Sequence, residues 1–333
     1  MLSAKKLKGM AAAAMFAAAA MAAGCGGGDQ ASSSGDKTYH VGIVQLVEHS
    51  ALDAANKGFV DGLKERGFEE GKNLTIDRQN AQADQSNLQN IAQRFVSAKL
   101  DLICAIATPA AQTMANATKD IPILGTAITD YEGAKLVKSN KEPGGNVSGT
   151  SDMNPIKEQI DLLLKIKPDA KVIGTIYSSS EVNSEVQIKA MTEYAESKGL
   201  TVKVATISTV NDIQQAAQSL IGSVDAFYEP TDNVVASAMP TLIDITNAAK
   251  VPVICGEPNM LKSGGLATYG IDYYKLGVQT GHMAADVLEG KAKTATLPVE
   301  LAKDLKVSVN KKAAALLGIT LPEDVLKDAE VVE

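Results

Sequence analysis

Short runs of β-forming residues alternate with segments of helical period along most of this chain, and that alternation constrains the fold more than any other feature. The β-type runs are Tyr39 to Leu46, Leu74 to Gln79, Leu100 to Ala107, Ile121 to Thr126, Lys171 to Tyr177, Thr201 to Thr206, Ala226 to Tyr228 and Val251 to Cys255. Between them, apolar residues recur at three- and four-residue spacing in Ala51 to Arg66, Asn87 to Ala98, Pro155 to Lys165, Ser184 to Lys198 and Leu276 to Leu288. A strand that must rejoin its neighbour through a helix runs parallel to it, so the pattern predicts an α/β fold of doubly wound parallel sheets covered by helices on both faces.

An internal repeat divides the chain. Gly144-Gly145-Asn146-Val147-Ser148-Gly149-Thr150-Ser151-Asp152 parallels Gly264-Gly265-Leu266-Ala267-Thr268-Tyr269-Gly270-Ile271-Asp272, with Asp seven residues after the second Gly in both. Each copy follows an apolar-Pro-apolar strand (Ile121-Pro122-Ile123, Val251-Pro252-Val253) and, before that, an Asp-led strand ending in a Thr-containing loop (Asp101 to Thr108, Asp225 to Thr231). Two halves on one plan are expected. Length agrees, since the roughly 300 residues from Lys37 onward exceed what one core usually reaches.

The N-terminus has the layout of a secretory signal: Lys5, Lys6 and Lys8, then an apolar run from Met10 to Ala23 that is too short to span a bilayer comfortably. It ends in Ala22-Ala23-Gly24-Cys25, which resembles a lipobox with Ala22 where Leu is usual, and it marks Cys25 for lipidation. An ordinary signal peptide cut near Ala23 is the alternative. Residues 1–24 read as signal peptide and 25–37 as a flexible Gly/Ser-rich tether. Removing the signal, with its three lysines and no acid, moves the net charge from −7 to −10, which argues against a nucleic-acid partner. Cys104 and Cys255 lie in apolar stretches typical of buried strands and read as inert core thiols, the alternative being a disulfide that would have to join different lobes. His40, His49 and His282 are scattered, without metal-ligand spacing.

The segments Val47-Glu48-His49-Ser50-Ala51-Leu52-Asp53, Gln79-Asn80-Ala81-Gln82, Ala105-Ile106-Ala107-Thr108-Pro109-Ala110-Ala111, Pro143-Gly144-Gly145-Asn146-Val147, Pro230-Thr231-Asp232-Asn233 and Gly270-Ile271-Asp272-Tyr273-Tyr274 together resemble a family of bacterial ABC-transporter substrate-binding lipoproteins of the tryptophan/tyrosine type. The resemblance runs from Lys37 to Pro322. It departs at Ser50, where Pro is usual, at Glu229, and at Gly125 and Tyr131 around the Thr129-Asp130 loop, all in loops expected to face the ligand. It implies a type I periplasmic-binding fold, with two lobes joined by three crossovers and closing by a hinge. Lobe one would take residues 38–150 plus 273–295, and lobe two 151–272 plus 296–333. It also implies an extracytoplasmic, lipid-anchored monomer that hands a small-molecule solute to an ABC permease with its ATPase, and it implies no cofactor.

Ligands of open parallel sheets bind beyond the C-terminal ends of the strands, so candidate contacts can be read off the strand ends. In the first half these are Glu48, His49, Thr108, Ala110, Thr126 and Asp130; in the second, Ser179, Asn183, Tyr228, Asp232 and Glu257, with Asp272 at a crossover. Thr108-Pro109 reads as an N-cap followed by Pro at the first helical position, which aims free N–H groups at a ligand carboxylate. Among the acids, Asp232 and Glu48 lead as partners for an ammonium. Tyr131, Tyr177, Tyr228 and Tyr273 sit at strand ends or crossovers, where rings could sandwich a flat side chain or pack lobe against lobe. An aromatic or other apolar amino acid is the expected solute, resting mainly on the resemblance, and a nucleoside or sugar is the alternative. No nucleophile elbow, Walker loop or dinucleotide fingerprint is present, so catalysis is not expected. A sensor that shows its closed form to a membrane receptor is the competing role.

Overall fold

The expected alternation becomes a chain of short parallel strands, each returned by a helix. The computed structural model describes residues 37–303 and 305–332, and residues 37–333 form one unit. The first stretch comprises β1 (Tyr39–Gln45), α1 (Ser50–Glu65), β2 (Leu74–Asn80), α2 (Gln85–Ala98), β3 (Leu102–Ile106), α3 (Thr108–Ala117), β4 (Ile123–Ile128) and β5 (Val147–Ser151). The second comprises α4 (Ile156–Ile166), β6 (Val172–Ser178), α5 (Val182–Ser197), β7 (Thr201–Ile207), α6 (Ile213–Leu220), β8 (Ala226–Glu229), α7 (Asn233–Ser237), α8 (Met239–Ala248), β9 (Val253–Cys255), α9 (Asn259–Lys262) and β10 (Ala267–Gly270). The last comprises α10 (Tyr273–Leu288), β11 (Glu300–Leu301), β12 (Lys306–Asn310), α11 (Lys311–Leu317), α12 (Glu323–Leu326) and β13 (Glu330–Val332). The signal, the tether and Cys25 lie outside the described residues, apart from Lys37.

Two sheets result, ordered β11-β5-β4-β3-β1-β2 and β13-β12-β10-β9-β8-β6-β7. The runs β5-β4-β3-β1-β2 and β10-β9-β8-β6-β7 are the same topology used twice, as the repeat predicts. The correspondence reaches single hydrogen bonds. Asp101, ahead of β3, accepts the His40 N–H at the start of β1 at 2.8 Å, and Asp225, ahead of β8, accepts the Lys171 and Val172 N–H groups at the start of β6 at 2.7 and 2.8 Å. Strands covered on both faces, such as β3 and β4, are buried along their whole length, whereas the edge strand β7 is mostly exposed.

The chain crosses between sheets after β5, after β10 and after β11. The third crossover corrects the sequence-based boundary: β11 pairs with β5 (Glu300↔Thr150, Leu301↔Ser151), so residues up to Leu301 stay with the first sheet instead of leaving it at 296. A two-residue strand carries no periodicity, which is why it escaped detection.

Helix α10 joins the first lobe through a seam of glycines. A Cβ on Gly58 would lie 2.1 Å from the Tyr274 carbonyl oxygen, and one on Gly277 would lie 2.1 Å from that of Ala55, with Gly62 and Gly281 similarly placed. The backbones of α1 and α10 therefore touch. A second glycine pair makes room for Tyr131: Gly125 and Gly149 face each other across β4 and β5, a Cβ on either would lie 2.6 Å from the tyrosine hydroxyl, and that hydroxyl donates to the Thr150 carbonyl at 3.0 Å. Tyr131 is fully buried in the first core. The departures at Gly125 and Tyr131 thus serve packing and do not face a ligand.

Gly277→Ala is expected to lower stability by about 2 kcal/mol despite alanine's better helix propensity, because overpacking costs about 1–3 kcal/mol and the obstacle here is backbone. Urea unfolding measures it, and an unchanged midpoint would show that the two helices part freely.

Candidate functional site

The strand ends of both sheets converge on a cleft, which is shut in this structure. Direct hydrogen bonds close it. His49, just ahead of α1, meets Asn233, at the start of α7, at 3.2 Å. Thr129, beyond β4, meets Thr231 at 3.5 Å and accepts from Gln187 of α5 at 3.4 Å. The Asn233 amide nitrogen donates to Glu181 at 2.5 Å, so its oxygen faces the imidazole and His49 Nε2 must carry the donated proton. Burial lowers the His49 pKa, opposed by the Asn233 hydrogen bond and the charge of Asp53.

Between the lobes lies a narrow, nearly filled cavity, lined on one side by His49, Ala51, Leu52, Ala127, Asp152 and Tyr273 and on the other by Thr231, Asp232, Asn233, Ala236, Glu257 and Met260. No lysine or arginine lines it, while three carboxyl groups do. Asp152 accepts from the Tyr273 hydroxyl at 2.6 Å and from Thr129 at 3.0 Å. Asp232 caps α7 by accepting the Val235 N–H at 2.8 Å, and its other oxygen takes the Ser178 N–H and the Ser184 hydroxyl, each at 2.7 Å. Glu257 accepts the Asn259 N–H at 2.6 Å. Burial raises the pKa of all three, that of Glu257 to about 7. Behind them, Glu181 and Glu229 are also pushed up, chiefly by burial and then, in both, by the charge of Asp232.

A second feature sits at the N-terminus of α3. Ala107 has φ 85° and ψ 152°, close to a region that is almost glycine-only and costs about 1–3 kcal/mol. This twist turns the chain from β3 into the helix. Thr108 is not the cap expected from sequence: the cap position is Ala107, no side chain caps the helix, and the buried Thr108 hydroxyl has no partner. Ala127, at the bulge between β4 and β5, also has left-handed φ, of 55°. Strained backbone therefore marks two adjacent strand ends that face the cleft.

The sequence-derived residues separate accordingly. His49, Asp232 and Glu257 line the cavity. Thr108 and Ala110 are buried in the first turn of α3, Thr126 is buried beneath the cleft and accepts from Thr150 at 3.4 Å, and Asn183 is buried behind Thr231, donating to its carbonyl at 3.2 Å. Glu48 and Ser179 are exposed; Ser179 donates to the Ile207 carbonyl at 3.3 Å. Asp130 is used in its own turn, accepting the Gly133 N–H at 2.9 Å, and Asp272 is exposed and caps α10 through the Lys275 N–H at 3.1 Å. Tyr228 is fully buried in the second core and donates to Gln159 at 2.8 Å. Of the four tyrosines considered, Tyr273 alone lines the cavity. Glu229, another departure, is likewise sealed inside β8. Thr129 and Thr231 enter the cleft from strand-end loops expected to face it, whereas Asp152 and Gln187 enter it without having been singled out as contacts. Asp152 carried a signal, as the last residue of the repeat, but its counterpart Asp272 points outward.

The raised carboxyl groups fix the sign of a pH dependence. Glu257 moves from an ordinary 4.5 to about 7, and Glu181 and Glu229 move up as well, so the folded state holds protons that the unfolded chain has released. Stability therefore falls as pH rises through these values. His49 acts in the opposite sense only below its ordinary 6.5. Thermal unfolding without ligand should accordingly occur at lower temperature at about pH 8 than at about pH 6.5, and a rise over that interval would contradict the buried acids.

Comparison with known proteins completes the description. The family described as ABC transporter substrate binding protein matches residues 40–333. A tyrosine-binding protein of Clostridioides difficile (strain R20291) is 45% identical over 297 residues, covering 88% of this chain and 86% of the relative. The ABC domain from Streptococcus pneumonia in complex with L-Trp superposes with TM-score 0.86 at 43% identity, over 89% of this chain and 100% of that one. The ligand-free, open form of a substrate-binding protein with adhesive properties from Clostridium difficile gives 0.68 at 46% identity, over 89% and 99% of the two chains. At similar identity the fit is closer to the L-Trp complex than to the open form, in accord with the shut cleft. Repeated sheets, cleft and matches together establish that this chain belongs to the ABC transporter substrate-binding protein family.

Proposed function

We propose that the protein captures an aromatic amino acid between its lobes and presents it to an ABC permease with its ATPase from a lipid anchor at Cys25. The observation that carries this is the cavity: small, with a partly apolar wall of Leu52, Met260 and Tyr273, and with acids but no lysine or arginine on its lining. Such a lining suits an ammonium beside a flat apolar side chain. The N-terminus of α3, whose first-turn N–H groups no side chain caps and whose Thr108 hydroxyl has no partner, suits the carboxylate. A tyrosine-binding relative and an L-Trp complex point the same way. The anchor rests on the Ala22-Ala23-Gly24-Cys25 motif and the small-residue segment after it, and among the described residues no helix is long and apolar enough to cross a membrane.

Closure follows from differential affinity. A solute that touches both lobes favours the shut form by as much as it binds that form better. The bonds from His49 to Asn233 and from Thr129 to Thr231 form only when the lobes meet, so they add to closure without touching the solute.

In a thermal-shift screen, L-tyrosine, L-tryptophan or L-phenylalanine should raise the unfolding temperature, with about 2.7 kcal/mol gained at one hundred times Kd. A shift with nucleosides or sugars and none with these amino acids would reject the reading. Thr108→Val should weaken binding about tenfold, as the loss of a hydrogen bond to a charged group does, with unchanged thermal stability because the hydroxyl has no protein partner. Wild-type affinity in that variant would remove Thr108 from the site. Cys25→Ser should move the protein from the membrane to the soluble fraction with solute binding intact; retention at the membrane would remove the anchor.

A further inference from the structure

We propose that solute capture in this cleft is proton-linked: the ammonium of the ligand takes the place of a proton shared among the carboxyl groups of Glu257, Asp152 and Asp232, and that proton leaves for solvent as the lobes close. The inference rests on the proposed binding of a zwitterionic amino acid and adds a regulation of that same site.

The geometry carries the argument. Three carboxyl groups line one narrow interlobe cavity, each is at least nine-tenths buried, and no lysine or arginine shares the lining. A buried carboxylate with no cation beside it is costly, and burial is the main cause that raises each of the three, so the site holds protons until a cation arrives. Glu257 is the group best placed to give one up. Asp232 already accepts three protein donors, and Asp152 has a hydroxyl on each oxygen. For Glu257, the Asn259 N–H at 2.6 Å is the close donor, with the Asn259 side chain and the Met260 N–H adding weaker support for the charge.

The surroundings of Glu257 supply little positive charge. From β9 it faces Cys255, whose thiol burial pushes up, and from α10 it faces Tyr273, also pushed up by burial. From α9 the exposed Lys262 acts on it weakly, as the last of its causes. Across the cavity lie Asp152, Asp232 and His49, and behind Asp232 lie Glu181 and Glu229. His49 is the single base among the lining residues, and burial lowers its pKa. An ammonium beside His49 would lower its pKa further, so any proton lost there would add to the release at Glu257 with the same sign. The balance of the main step is simple: the protonated carboxyl group and the ligand ammonium become a carboxylate–ammonium pair plus one proton in solvent. With Glu257 at about 7, release should be largest below neutrality and fade above it.

Isothermal titration of the purified full chain with L-tryptophan or L-tyrosine tests this, using buffers of low and high ionisation enthalpy at about pH 6 and about pH 8.5. The expected result is a buffer-dependent heat at the lower pH that reports net proton release, little at the higher, and a Kd that falls with rising pH, by up to about tenfold per unit for one proton below pH 7. In Glu257→Gln the release at the lower pH and the slope of Kd should both be lost, while binding persists more weakly. Tight binding with buffer-independent heat at both pH values overturns the proton linkage and leaves amino-acid capture standing. Release that survives in Glu257→Gln overturns the assignment to Glu257. No binding of either amino acid overturns both readings together.

Discussion

Closing a cleft over carboxyl groups with no lysine or arginine among its lining residues is the constraint on which the rest of this structure depends. Asp152, Asp232 and Glu257 line the cavity, and Glu181 and Glu229 stand behind it, all raised by burial. Groups of this kind survive inside a protein only when they are hydrogen-bonded, protonated or paired. Here the backbone N–H groups at the first turn of α7 and the hydroxyls of Tyr273, Thr129 and Ser184 do the hydrogen bonding. A cationic group on the solute would complete it.

The scaffold makes that cleft out of one plan used twice. Each sheet reverses its strand order at β1/β3 or β6/β8, and the loops beyond those strands meet across the cleft. The lobes hold their shape through packing that has nothing to do with the solute: the backbone contact of α1 with α10 and the tyrosine set into the Gly125–Gly149 gap. Rigid lobes with few direct bridges between them suit a protein that must open and shut, because the interlobe bonds are few and easily exchanged for water.

Much of this was legible in the residues. The alternation of strands and helices, the two-lobed plan and the Asp-led strands all appear as expected, since they depend on local period and short spacing. The contents of the cleft were harder to read. Thr108 reads as a cap by composition, yet its backbone is helical and its hydroxyl is free, a difference decided by the φ of Ala107. Tyr131 and Tyr228 look like cleft aromatics at strand ends, yet one fills a space left by two glycines on different strands and the other reaches Gln159 of α4. Asp152 and Asp272 occupy equal places in the repeat, and only the way the crossovers turn puts one inside and the other in solvent. These are long-range relations that no spacing along the chain records.

The central claim is that the acids of the cleft face the ammonium of an amino acid whose carboxylate lies at the start of α3. A crystal structure with L-tryptophan or L-tyrosine bound tests it most directly. The account predicts the ammonium within hydrogen-bond reach of Asp152 or Glu257, and the carboxylate on the Thr108 hydroxyl and the N–H groups of the first turn of α3. A ligand bound with its carboxylate against those acids, or outside the cleft altogether, would contradict it.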